Sequence, residues 1–292
     1  MGQPQPAPPE AQRDPAAFSI GVDIRSIRAE PVWWLESAVR LDQAGYAGLW
    51  CWDHFMGRGD LTVPVVETWT ILSMAAARTS RVTIAPFVAN VMNRHPAVLA
   101  RMASTLHIAS GGRLILGIGI GGAPREHAAY GIPFPDAPER VHHLEEAVAT
   151  IRALWTGGPV TRPSDVYPLE DATAYPVPEP APRIVIGGES RNGARLGARL
   201  GDGWSTFDNN FTEHLPLYLD ALEAEGRRRD DQLVLVGFQG DWLSEEDVAR
   251  TEWVREPRAA RERWAEAGAD GAVVLARSTS DVDALVEAVG RW

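Results

Sequence analysis

Lysine does not occur in this chain of 292 residues: all 28 basic side chains are arginine. Chemistry that needs an ε-amine is therefore excluded, from Schiff-base catalysis and pyridoxal phosphate anchoring to the lysine of a P-loop. Cysteine is nearly as scarce. Cys51 alone can form no internal disulfide and no multi-cysteine metal site, so a reducing, cytoplasmic setting is expected. Positive charge is in deficit, 28 basic against 39 acidic residues for a net charge of −11, which argues against a broad basic face for nucleic acid. No run approaches the roughly 18 consecutive apolar residues of a membrane helix. Residues 1–17, rich in Pro, Gln and Ala, read as a flexible leader rather than a signal peptide.

Apolar residues make up 45% of the chain, enough for a sizeable core. From residue 18 onward short continuous apolar runs alternate with longer stretches of 3.6-residue period. The runs at 18–23, 48–52, 81–88, 114–120, 183–186, 203–207, 233–238 and 271–275 read as strands. Helices are expected at 31–44, 66–78, after His95-Pro96, and at 138–155, 191–200, 214–224, 258–267 and 282–289. Residues 157–182 break the rhythm with seven prolines and read as an insertion of extended chain or hairpin. Strands without polar alternation argue for a parallel sheet buried under helices. The expected fold is α/β, a (β/α)8 TIM barrel with an insertion between the fourth helix and the fifth strand, forming one domain over residues 18–292. A doubly wound sheet fits less well, because Asp23-Ile24-Arg25 after the first strand is no dinucleotide turn.

In such a barrel the chemistry sits at the C-terminal ends of the strands. Four of those ends carry unusual residues. Trp52, Asp53, His54 and Met56 follow the second strand, and His is the side chain best suited to proton transfer near neutral pH. An Asp-His pair can equally be structural. The run Pro86, Phe87, Val88, Ala89, Asn90 carries a proline inside the third strand, which predicts a kink or bulge. Glycines at 117, 119, 121 and 122 end the fourth strand, where they allow close approach to the backbone or simply pack. The sequence Gly187, Gly188, Glu189, Ser190, Arg191 joins a strand to a helix start, where amides and the helix dipole suit a phosphate; a routine tight turn would read the same way. Tryptophans are mostly core residues by prior, but Trp52 and Trp242 fall at loop ends and could wall a pocket for an aromatic substrate. His142-His143 reads as a solvated helix face with no metal site, His95 as structural, and Arg227-Arg228-Arg229 as a surface charge run.

Taken in order, Leu49-Trp50-Cys51-Trp52-Asp53-His54-Phe55, Arg94-His95-Pro96-Ala97-Val98-Leu99-Ala100, Ser110-Gly111-Gly112-Arg113-Leu114-Ile115-Leu116-Gly117-Ile118-Gly119, Ile186-Gly187-Gly188 and Gly201-Asp202-Gly203-Trp204 resemble the bacterial luciferase-like oxidoreductases. The resemblance runs from Phe18 to the C-terminus. It implies a (β/α)8 barrel with an insertion, a homodimer, and either FMN or the deazaflavin coenzyme F420. Asp53-His54-Phe55 is similar to the deazaflavin branch, where FMN monooxygenases often show His-His-Phe. The resemblance thus implies an F420-dependent oxidoreductase transferring a hydride between the deazaflavin and an organic substrate. His54 is the implied proton-transfer group and Asp53 its partner near the ring. Phe87, Val88 and Ala89 match a bulge, often with a non-proline cis peptide, that props the ring. Asn90, Gly119, Gly121, Gly187, Gly188, Glu189, Ser190 and Arg191 complete the implied cofactor site, and Trp52, Met56, Gly122 and Trp242 the substrate pocket. Gly122 stands where the family's sugar-phosphate dehydrogenases carry Glu, and the lysines that grip their substrate phosphate are missing. A bulkier or aromatic substrate is therefore expected. An FMN-dependent monooxygenase and a non-catalytic flavin-binding homologue are the alternatives.

Overall fold

The computed structural model describes residues 18–57, 59–238 and 247–292; the expected leader and Trp242 lie outside them. The chain alternates strand and helix as the apolar pattern requires. β1 (Ser19–Ile24) leads to α1 (Pro31–Ala44), and β2 (Gly48–Cys51) to α2 (Thr68–Arg78). β3 (Thr83–Pro86) and β4 (Ala89–Asn90) precede α3 (Pro96–Ala109), and β5 (Ile115–Gly119) precedes α4 (Pro124–Tyr130) and α5 (Ala137–Leu154). β6 (Val160–Arg162) and β7 (Leu169–Ala172) form an antiparallel hairpin within the proline-rich insertion. β8 (Arg183–Gly187) then pairs with α6 (Arg191–Leu200), β9 (Gly203–Phe207) with α7 (Asp208–Ala224), and β10 (Leu233–Phe238) with α8 (Glu252–Arg255) and α9 (Pro257–Glu266). β11 (Gly271–Ala276) and α10 (Thr279–Ala288) complete the round.

Nine parallel strands run in the order β3-β2-β1-β11-β10-β9-β8-β5-β4. The expected eight becomes nine because the third strand is broken. β3 pairs with β2 up to Cys51 and Pro86, the Phe87–Val88 peptide is cis, and β4 resumes on β5 at Ala89 and Ile118. A parallel bridge from Ile84 of β3 to Leu114, the residue before β5, closes the sheet, so it occupies eight positions around a barrel.

Two apolar layers hold it. Between strands and helices lies the main core, in which Trp34 and Trp204 are fully buried; Trp204 stacks on Phe211 and Tyr218. Inside the barrel, Trp50, Ala85, Phe87, Leu235 and Val273 form a second cluster. Burial of apolar surface at ~25 cal/mol per Å² is the dominant driving force for both layers.

α4 was not legible as a separate element, because seven residues are too few for a periodic signal. α7 starts six residues before the expected 214, since Asp208 in its first turn favours a helix N-terminus although Asp208-Asn209-Asn210 reads as loop. The arginine run at 227–229 is not a mere surface charge run. Arg227 caps the carbonyls of Ala198 and Gly201, and Arg229 those of Gln232 and Gly268, leaving only Arg228 outward.

Candidate functional site

A cavity of about 880 Å³ opens at the C-terminal mouth of the barrel, large enough for a tricyclic ring and a small partner. It is lined by Trp52, Asp53, His54, Phe87, Val88, Ala89, Asn90, Gly119, Gly121, Gly122, Gly187, Gly188, Glu189 and Ser190, which brings together most of the residues singled out above. Ile120, Val141, Leu144, Leu196 and Phe207 add apolar wall. Two expected residues lie elsewhere. Met56 is buried behind the wall with its amide on Glu126, and Arg191 points into solvent, where its guanidinium pairs with Glu213. A residue in the first helical turn directs its side chain away from the axis, so the amide of Arg191 and not its charge faces the cavity end of α6.

The broken third strand forms one side of the cavity. Its Val88 is packed by glycines: a Cβ at Gly187 would stand 2.6 Å from the Val88 side chain and one at Gly119 3.0 Å from it, while one at Gly117 would meet the Pro86 carbonyl at 2.3 Å. The Gly-x-Gly run of β5 therefore seats the bulge instead of a nucleotide. Gly188 has a similar duty, since a Cβ there would lie 2.6 Å from Cα of Gly193 on α6. Its amide is already given to the Ser205 carbonyl, and its own carbonyl accepts from the Trp204 indole. Donors for an anion at this turn are thus the first-turn amides of Arg191 and Asn192, which have no acceptor within the helix. The Ser190 hydroxyl accepts from the Gly193 amide as the cap of α6.

Asp53 and His54 diverge. The Asp53 carboxylate, 1% exposed, is gripped by both terminal nitrogens of Arg94 at 2.7 and 3.0 Å and accepts from the Asn90 amide at 3.0 Å. Arg94 also reaches Glu67 at 2.7 Å. Asp53 is therefore not the partner of His54, because its lone pairs are committed to Arg94 and the third strand. His54 sits edge-on against Trp52 and places Nδ1 3.2 Å from Glu126 Oε2. That oxygen also accepts from the amides of Phe55 and Met56 at 2.9 and 3.1 Å. Burial acts to raise the Glu126 pKa, but His54 and the two amides hold it below the usual carboxylate range. Next to it on α4, His127 lies 2.7 Å from the Asn90 amide group, and burial pushes its pKa down. Glu189, half-buried at the α6 turn, is pushed upward by desolvation.

Sequence reasoning does not find Arg94 and Glu126. Nothing local to Arg94-His95-Pro96 marks the reach of Arg94 to Asp53, and the only signal for Glu126 is Pro124 opening a helix two residues before it. The expected structural role of His95 is observed, as its ring caps α3 through the Ala97 amide. His142 pairs with Asp165 at the surface.

Fold and cavity together define a parallel α/β barrel whose pocket is built from strand ends, with the His54 imidazole at one side and a helix N-terminus at another. The chain belongs to the luciferase-like monooxygenase family, whose model matches residues 33–281. An F420-dependent glucose-6-phosphate dehydrogenase of Microbacterium testaceum is 34% identical over 74% of this chain and 66% of its own length. An F420-dependent hydroxymycolic acid dehydrogenase of Mycobacterium tuberculosis is 28% identical over 77% and 61%. The chain thus spans roughly three-fifths to two-thirds of the curated relatives it matches. Among solved structures, an F420-dependent secondary alcohol dehydrogenase in complex with an F420-acetone adduct superposes with a TM-score of 0.79 at 20% identity, covering 94% of this chain and 98% of that one. At that identity the likeness shows the fold, as expected for the barrel. No helix among the described residues is long and apolar enough to cross a membrane.

Proposed function

We propose that this protein is an oxidoreductase that uses coenzyme F420 to move a hydride to or from an uncharged, largely apolar organic substrate. The observation that carries it is the cavity itself: a wall of Phe87, Val88 and Ala89 on the broken third strand, with His54 at one side and the first turn of α6 at another. The residues fit the group. Glycines at 119 and 187 seat Val88 as a support for a planar ring, and the amides of Arg191 and Asn192 suit its phosphate. When bound, the deazaflavin supplies two-electron hydride chemistry; the protein supplies orientation and one proton. Asp53, held by Arg94, fixes Asn90 and hence the wall, and His54 exchanges the proton with the substrate oxygen. The F420-dependent relatives support this reading of the cofactor.

The substrate class follows from charge. Among the described residues no arginine lines the cavity, while Asp53 and Glu189 do, and the chain has no lysine. A phosphorylated sugar would meet no arginine or lysine there. Trp52, Ile120, Val141 and Leu144 instead offer apolar surface, and a Cβ at Gly122 would touch nothing within 4 Å. Hydrophobic alcohols or their ketones suit such walls.

We also read the chain as a cytoplasmic homodimer. The family's model over residues 33–281 supports the dimer, and sedimentation velocity tests it. The functional test is a titration of purified protein with F420 and FMN side by side, followed by F420-coupled assays of uncharged alcohols against glucose 6-phosphate. Tighter F420 binding and turnover of apolar alcohols are expected. Preferential FMN binding with oxygen consumption overturns the cofactor assignment, and preference for glucose 6-phosphate overturns the substrate class.

A further inference from the structure

α4 is a short helix, yet its Glu126 and His127 are 2% and 0% exposed. Each reaches one side of the cavity, Glu126 to the segment after β2 and His127 to Asn90 on β4. The first contact bears on the chemistry. We propose that Glu126 is the positioning residue of His54, fixing the ring with its proton on Nδ1 so that Nε2 exchanges a proton with the substrate. This rests on reading His54 as the proton-transfer group.

An ionised carboxylate can only accept, so an imidazole nitrogen 3.2 Å from it must carry the hydrogen. Nδ1 is thereby committed in both the neutral and the charged ring, and Nε2 is the nitrogen whose protonation changes. When a substrate alcohol is oxidised, its O–H bond breaks and the proton forms an N–H bond at Nε2, the O–H electron pair becomes the second C–O bond of the carbonyl, and the C–H bond breaks with its pair leaving as hydride, which bound deazaflavin would accept. The positive ring is then balanced by Glu126; in the reverse direction the proton returns. Because the same carboxylate oxygen accepts from the Phe55 and Met56 amides, it holds the backbone that carries the ring as well as the ring. The Glu126 side chain is 3% exposed and the His54 side chain 33%, so the carboxylate is withdrawn from water while the ring stays accessible from the cavity.

Two measurements test the proposal. In the cofactor-free protein, ¹⁵N histidine spectra at a pH where the ring is neutral, assigned with His54→Ala, should show His54 as the Nδ1–H tautomer. Glu126→Gln keeps the shape and a neutral acceptor but loses the charge, so its weaker hold on Nδ1–H should let the Nε2–H tautomer appear beside the Nδ1–H form. In kinetics with F420 and the best alcohol, E126Q should lower kcat about 10- to 100-fold, with KM and the F420 Kd within threefold. Added to His54→Ala it should cost nothing further, because it acts through that ring. An unchanged tautomer with kcat within twofold, or an equal loss in the His54→Ala background, overturns the positioning role. Full turnover by His54→Ala instead overturns the reading of His54, and the tautomer measurement still decides whether Glu126 sets the ring. Should E126Q lose its circular dichroism spectrum, Glu126→Asp carries the same measurements.

Discussion

Truncating Arg94 to alanine tests whether the cavity wall hangs on one buried ion pair. The guanidinium meets Asp53 as a fork, at 2.7 and 3.0 Å, with side-chain exposures of 13% and 1%. Its second contact, to Glu67 at 2.7 Å, involves a carboxylate 41% exposed and so contributes little. The cost of Arg94→Ala therefore comes from leaving the Asp53 charge buried with only the Asn90 amide and the Asn93 side chain as donors. Breaking such a pair typically costs about 3–5 kcal/mol, against a total stability of about 5–15 kcal/mol. At about 2–4 °C per kcal/mol, Tm should fall by about 6–20 °C. Urea unfolding gives the free energy directly. The control is Asp53→Asn, which removes the charge; the double variant should be more stable than additivity predicts, by about 2 kcal/mol or more. Arg94→Lys should fall between, since one ammonium cannot reproduce the fork. A loss below about 1 kcal/mol for Arg94→Ala, or simple additivity with Asp53→Asn, would refute the claim that this pair holds the wall.

Three further outcomes follow from the same geometry. Gly122→Leu should fold with Tm nearly unchanged, because a Cβ there meets nothing within 4 Å, and should raise KM for bulky alcohols more than for small ones in steady-state assays. Glu189→Gln should tighten F420 severalfold by fluorescence titration near pH 7, since the Glu189 carboxylate, whose pKa burial raises, lines the cavity at the α6 turn where its charge opposes a phosphate. Wild-type affinity should correspondingly rise as pH falls and Glu189 protonates, and the variant should lose much of that dependence. His127, whose pKa burial depresses below 6.5, is held neutral in the fold. Its stability contribution is full above 6.5 and is lost as pH falls below that value, so His127→Gln should flatten the decline in Tm between pH 7.5 and 5.5.

What the sequence reveals and what it hides divides along a physical line. The barrel was legible because each β-strand is a continuous apolar run and each long helix has a period, signals carried by neighbouring residues. α1, for example, is bounded by Pro31 at its first turn and Gly45 at φ 104, and was read to the residue. The break in the third strand was foreshadowed by Pro86, yet the change of partner from β2 to β5 was not, because strand pairing is a long-range choice. The same limit applies at the site. Asp53 and His54 are adjacent in sequence, and adjacency invited pairing; after β2 they diverge, so Asp53 finds Arg94, 41 residues on, and His54 finds Glu126, 72 residues on.

The glycines show how one signal can serve two ends. The run Gly117-Ile118-Gly119 reads equally as close backbone approach or as packing, and its absent Cβ atoms make room for Pro86 and Val88 of the neighbouring strand while Gly119 also lines the cavity. Gly188 likewise packs against Gly193 and gives its amide to Ser205, so a bulky residue there would disturb the seating of α6 together with any anion it holds. A loss of cofactor affinity in a Gly188 variant consequently cannot by itself locate the phosphate. Removing the negative charge at Glu189 probes the same turn without touching that packing, because its side chain lines the cavity and no glycine contact depends on it.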